Sequence, residues 1–200
     1  HRSPARPNEY LSDVLRKHPH SALVSSLYNR LGHTLLFHRN GVMTGTGRSV
    51  LAMLHDVARH GLNPSDYKVQ SVDQMVSSDS LDAAKRDVAL VYGVLRYVAD
   101  FQFASWADPI KTTKSWSELL EQEAAGIVSA AEALFPSVDV GLKRLWPETP
   151  LYQAAMAALP EFESKLPGWR KQPQLSWRWK NFEPGDQHSL IGDYQRRLAF

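Results

Sequence analysis

The 200-residue sequence contains no cysteine. A disulfide framework, a thiolate nucleophile, a zinc–thiolate site and an iron–sulfur cluster are therefore excluded within this chain. No apolar run approaches the roughly 18 residues of a membrane span. His1-Arg2-Ser3-Pro4 is followed by no apolar segment, so nothing reads as a signal peptide. If the protein is exported, the chain is expected to begin after the cleaved region. The one glycine cluster, Gly41, Gly45 and Gly47, lacks the Gly-Lys-Ser/Thr ending of a phosphate-cradling loop and reads as a hinge into the next helix. There is no Gly-x-Ser-x-Gly elbow, and no block of consecutive basic residues that would suit nucleic acid. Neither a cofactor nor a nucleic-acid partner is expected.

What is present is an ordinary soluble composition, with 43% hydrophobic and 22% charged residues. At this length a sizeable core can form without staples. The charge is uneven. Residues 1–60 hold eight Lys/Arg against three Asp/Glu, residues 61–164 hold eight against fifteen, and residues 165–200 hold seven against three.

Periodicity predicts a mainly α-helical protein with a few short extended pieces. Leu11, Val14 and Leu15 suggest a first helix, and Leu23, Leu27, Tyr28 and Leu31 a second that Gly32 stops. Leu35-Leu36-Phe37 reads as a small strand or simply extended chain before an Asn40-Gly41 turn. Leu51, Leu54, Val57 and Ala58 form the stripe of a third helix, and Asn63–Tyr67 is a turn. Val88, Val91, Leu95 and Val98 lie on one face of a long helix expected from Ser80 to about Phe103, central to the core. Ser115 and Glu118 form a capping box for a helix that ends at Pro136. Thr149-Pro150 opens a further helix, which Pro167-Gly168 is expected to close.

Candidate chemistry is sparse. Of eight histidines, the close pairs are His18/His20, His33/His38 and His55/His60. His55 and His60 would lie about 140° apart on a helix, the wrong arrangement for two ligands on one face, so no metal site is expected. Glu118, Glu121 and Glu123 cluster at a helix start, where capping and the dipole already explain acidic residues. Trp169, Trp177, Trp179 and Phe182 change the composition near the end of the chain. They are a candidate glycan-stacking surface, with Trp169, Trp177 and Trp179 as contacts, or else a small core joining two modules. No catalytic residue is assigned.

Several segments, in order, resemble one family. Ser26-Leu27-Tyr28-Asn29-Arg30 followed by Leu35-Leu36-Phe37 resembles the opening of the scaffold domain of large multidomain bacterial L,D-transpeptidases. His60-Gly61-Leu62-Asn63-Pro64-Ser65-Asp66-Tyr67 is similar to its most specific turn. Asp87-Val88-Ala89-Leu90 with Leu95-Arg96-Tyr97-Val98-Ala99-Asp100 is similar to its central helix. Ala107-Asp108-Pro109 with Trp116, and Pro150-Leu151-Tyr152 with Leu159, continue the series. Phe182-Glu183-Pro184-Gly185-Asp186 through Leu198 resembles the start of a small helical peptidoglycan-binding module. Phe37 stands where the family commonly has tryptophan, and Phe103-Ala104 where it has glycine.

The resemblance implies a lead-in at residues 1–20, a helical scaffold domain at 21–168, an aromatic and basic connector at 169–181, and the start of the binding module at 182–200. It implies a periplasmic protein of a Gram-negative cell wall. Its partners would be peptidoglycan, a catalytic domain in cis and other wall enzymes, with no membrane span in this chain. That family's nucleophile is a cysteine, so acyl transfer is not expected within this chain. The final helical pattern reaches Phe200 with no stop signal, and more sequence is expected beyond it. Two alternatives remain at this stage. One is a helical hydrolase of the lytic transglycosylase type, using Glu118 or Glu121 as its acid in a deep cleft. The other is a stand-alone regulatory adaptor that docks through an exposed apolar patch.

Overall fold

The apolar residues after Ser80 form the axis of the fold. In the computed structural model, which describes residues 7–73, 80–103 and 116–170, helix α5 (Ser80–Val98) is buried on nearly every side. Helices with apolar residues all round become interior elements, and α1 (Pro7–Lys17), α2 (Ser21–Arg30), α3 (Gly45–His55), α4 (Val69–Asp73), α6 (Trp116–Leu134) and α7 (Val138–Lys143) all pack on it. The protein is mainly α-helical, and its one sheet among the described residues is a two-stranded hairpin. The chain divides into two compact units, residues 1–148 and 149–200; α8 (Pro150–Arg170) is the described part of the second.

The hairpin pairs β1 (His38–Arg39) with β2 (Val42–Met43), in the register His38 with Met43. The strand thus begins one residue beyond Leu35-Leu36-Phe37. Asn40 and Gly41 both take left-handed φ angles, 50° and 79°, as a tight type I′ turn requires. The polar stretch Thr44–Ser49, expected as a hinge, is instead the start of α3. The Thr44 hydroxyl accepts from the Gly47 amide at 3.1 Å, which satisfies one orphan donor of the first turn. Helix α3 stops at His55, earlier than expected, and the chain tightens into a 3₁₀ turn at Asp56–His60 that Gly61 ends with φ 73°.

Of two further helix ends one matches expectation and one does not: α6 stops at Leu134, just before Pro136. Past Pro136 a short 3₁₀ turn (Phe135–Ser137) leads directly into α7, whose six residues carry too little periodicity to be seen in the sequence. At the other end, α8 runs on to Arg170 through Pro160 and Pro167. Proline's φ of about −65° is already helical, so each costs a hydrogen bond without forcing a stop. The apolar stripe of α8 is not a buried one: Leu151 is 81% and Phe162 59% exposed. The proposed capping serine, Ser115, lies outside the described residues.

The segment Gln122–Lys143 is long and apolar enough, by length and composition alone, to cross a membrane. This modifies the expectation that no stretch approaches a span, because the helices on either side of Pro136 add together. Here Ile127, Val128, Ala131, Val138 and Leu142 are instead buried in the protein core, and Glu132 is paired with Arg30 at 2.9 Å.

Candidate functional site

Asp87, on α5, is fully buried and saturated with donors. It accepts from the Tyr28 hydroxyl at 2.5 Å, the Leu36 and Phe37 amides at 2.9 and 2.7 Å, and is bonded to His38 Nδ1 at 2.9 Å. This carboxylate pins the extended segment 35–38 to the central helix. It also places a hydroxyl, an imidazole and a carboxylate together. The phenol of Tyr28 is nevertheless pushed well above its ordinary range, by burial first and by the Asp87 charge second. An activated nucleophile needs the opposite shift, so the trio is an anchor.

A second polar network ties the turn at Pro64–Tyr67 to the end of α5. The Asn63 side chain accepts from the Ser65 amide at 3.2 Å, setting the turn. Tyr67 then donates to Asp100 at 2.6 Å, and Arg96 Nε donates to the same carboxylate oxygen at 2.8 Å. Asp66 lies 3.9 Å from Arg96. The Tyr67 phenol is driven up by burial and by Asp100. Asp100 is the second residue of a π-helical turn, Ala99–Phe103, that continues α5.

Two clefts flank these networks, and each is lined by one of the close histidine pairs. The first, of about 660 Å³, lies at the corner between α1 and α2. His20 stacks on Tyr92 with ring centroids 5.2 Å apart and planes 5° apart, and His18 meets the same ring at 5.2 Å, tilted. Burial lowers the pKa of both imidazoles. His18 is lowered further by His20 and Lys68, and His20 by Lys68 and Arg96. Lys68, at the rim, holds a left-handed φ of 58°. The cations at this cleft are compensated in part: Lys85 pairs with Asp82 at 3.0 Å and Arg96 with Asp100.

The second cleft, of about 530 Å³, lies between α3, the Asp56–His60 turn and α7. His55 and His60 line it without converging. His55 is paired with Asp73 at 3.1 Å, and the His60 ring lies 4.7 Å from Trp146 and edge-on to Phe101 at 5.5 Å. Burial lowers the pKa of His60, with Arg59 adding to the shift and Asp56 opposing it. Trp146 donates its indole N–H to the Tyr97 hydroxyl and is 37% exposed. Tyr97 in turn meets Tyr67 edge-on at 6.4 Å. A continuous path of side chains, Trp146–Tyr97–Tyr67–Asp100–Arg96, thus joins the two clefts.

Among the described residues no group of three or more histidines and carboxylates could hold a metal ion. His33, from the third pair, bonds Ser12 at 3.3 Å and Asn29 at 3.2 Å, while His38 belongs to the Asp87 anchor. Glu118 stands exposed in the first turn of α6 and lines neither cleft; the side chain of Glu121 lies outside the described residues. Trp169 falls in the last turn of α8 with its side chain outside them, as are Trp177 and Trp179 entirely. Trp146 was not marked by sequence reasoning. Its one signal is the Pro147 that follows, which ends the helical run and leaves a large aromatic at a helix terminus.

The described arrangement is thus one of paired charges and packed aromatics around two open clefts, which suits binding and positioning. A model of the scaffold-domain family matches residues 22–159, from α2 into α8 and including most of both clefts. No curated protein and no solved structure matches the chain. With more than half of its length matched, the chain belongs to the scaffold-domain family.

Proposed function

We propose that this scaffold domain serves a periplasmic L,D-transpeptidase, holding a separate cysteine-bearing catalytic domain against peptidoglycan while 3→3 cross-links form. The observation that carries this reading is the ordered series of motifs inside the matched region. The turn His60–Tyr67, the most specific of these motifs, and the helix end Leu95–Asp100, another of them, meet through the Tyr67–Asp100–Arg96 network. A carboxylate-locked turn on a fully packed central helix is a rigid mount, and rigid mounts hold reacting partners in register.

The division of labour follows from the chemistry. Cross-linking of this kind needs a thiolate to attack a peptide carbonyl and form an acyl-enzyme, and this chain has no sulfur nucleophile. The buried Tyr28 phenol, the one hydroxyl set against both a carboxylate and an imidazole among the described residues, is held protonated. The chain contributes architecture and contact with the wall; bond-making belongs to the partner domain in cis.

The test is an assay of cross-linking with tetrapeptide-bearing disaccharide donors. The full-length gene product is expected to yield 3→3 tetrapeptide dimers, while residues 1–200 alone yield none. Dimers formed by residues 1–200 alone would overturn the non-catalytic assignment. A full-length product that neither cross-links nor sediments with purified sacculi would overturn the wall assignment.

A further inference from the structure

The cleft of about 530 Å³ beside Trp146 has the size of a small-ligand site. Its lining is mixed. Trp146 and Met53 supply apolar surface, while Ser49, Asp56, Asp139 and Lys143 supply polar atoms. The indole is held at its edge by the hydrogen bond to Tyr97 and flanked by His60, yet the residue remains exposed and lines the cleft. A tryptophan fixed by its polar handle and left open into a cleft is an aromatic platform ready for an apolar ligand face.

Charge decides what kind of ligand. Asp56 is paired with Arg59 at 3.1 Å, and Asp139 stands one helical turn before Lys143 on α7, where opposite charges are neighbours. Asp56 is thus ion-paired, Asp139 and Lys143 are opposite charges on one helix, and the cleft offers donors and acceptors with little net charge. A phosphate or polyanion would meet two carboxylates in the lining, and a cationic peptide would meet Lys143 beside Asp139. A sugar ring fits both halves: one face carries C–H groups that pack on an indole, and its edge carries hydroxyl and amide groups that need both donors and acceptors.

We infer that this cleft is a saccharide-binding subsite, with Trp146 as the stacking platform and Asp139, Lys143 and Ser49 as the hydrogen-bonding edge for an uncharged, N-acetylated glycan. The preference for a neutral saccharide comes from the cleft; the choice of an N-acetylated one rests on the proposed role at the cell wall. This subsite lies on α3, the Asp56–His60 turn and α7.

The experiment titrates residues 1–200 with chitotetraose, a β-1,4-linked N-acetylglucosamine tetramer, and follows the tryptophan indole N–H signals by NMR. Saturable binding that shifts the Trp146 indole is expected, weakened roughly tenfold in Trp146→Ala by loss of aromatic contact. Because Trp146 also packs on His60, Asp139→Ala serves as a second variant. Its unfolding temperature should stay near that of the parent while its affinity falls about threefold, the loss of one net hydrogen bond. No saturable binding, undiminished binding by both variants, or shifts confined to other tryptophans would overturn the assignment. So would a lysine-rich peptide that binds at Trp146 where chitotetraose does not. Co-sedimentation of the same proteins with sacculi separates the two readings. Sacculi retained in the absence of chitotetraose binding reject the subsite while the wall role stands; loss of both rejects both.

Discussion

Asp87 ties two distant parts of the chain to the central helix, because four groups, one from Tyr28 and three from residues 36–38, end on its two oxygens. Removing it leaves a phenol, an imidazole and two backbone amides buried without their acceptor. Asp87→Ala is expected to destabilise the protein by about 3–5 kcal/mol, the usual penalty for stripping one partner from a buried charged network. That is a large share of a typical stability of about 5–15 kcal/mol; urea unfolding at neutral pH measures it, and a loss under about 1 kcal/mol would show that the donors find other acceptors. In the sequence this residue is one aspartate within a helical pattern, and its neighbours at positions 28 and 36–38 are some fifty residues distant. Only the motif resemblance marked it. Trp146 is the same case at the cleft: its exposure and its bond to Tyr97 are consequences of how α5 and α7 meet.

Elements were legible where periodicity was long and illegible where it was short. Helix α5 announced itself through Val88, Val91, Leu95 and Val98, all buried as the spacing required. Helix α3 shows the limit. Its glycines suggested a hinge, but Gly47 sits inside the first turn because the helix comes very close to the segment before the hairpin. A Cβ there would lie 2.9 Å from the Phe37 carbonyl oxygen and 2.9 Å from Met43 Cγ. Gly47→Ala, which in an open helix would gain up to about 1 kcal/mol from propensity, is here expected to cost about 1–3 kcal/mol by overpacking against backbone that cannot yield. A comparison with Gly45→Ala isolates the effect, since nothing lies within 4 Å of a Cβ at that position. If the two variants unfold at the same temperature, the close approach is not what selects glycine at position 47. The capping threonine and the Asn40-Gly41 turn were visible because their signals are local; the length of α8 was not, because proline tells of a lost donor and not of a helix's end.

For the molecule as a whole, the perturbed side chains bound the pH range of stability from both sides. His18, His20 and His60 have folded-state pKa values below the usual 6.5. The unfolded chain therefore binds their protons first as pH falls, so stability is complete above about pH 6.5 and declines below it. Tyr28 and Tyr67 are shifted the other way: the unfolded chain loses those protons first, so stability is complete below about pH 10 and declines above it. Denaturant midpoints measured from pH 5 to pH 11 should trace this plateau, and His18→Asn with His60→Asn should flatten its acid side. A midpoint that rises on acidification would contradict the burial of these imidazoles. The mostly helical class, the core-forming helix, the lack of any thiol chemistry and the family resemblance could all be read from residue types and their spacing, since composition and local periodicity do not depend on where the chain returns in space. The Asp87 anchor, the two clefts and the exposed face of Trp146 were decided by tertiary structure alone. Each is made of side chains distant in sequence, and their burial, pairing and altered acidity exist only once packing on α5 has excluded water between them.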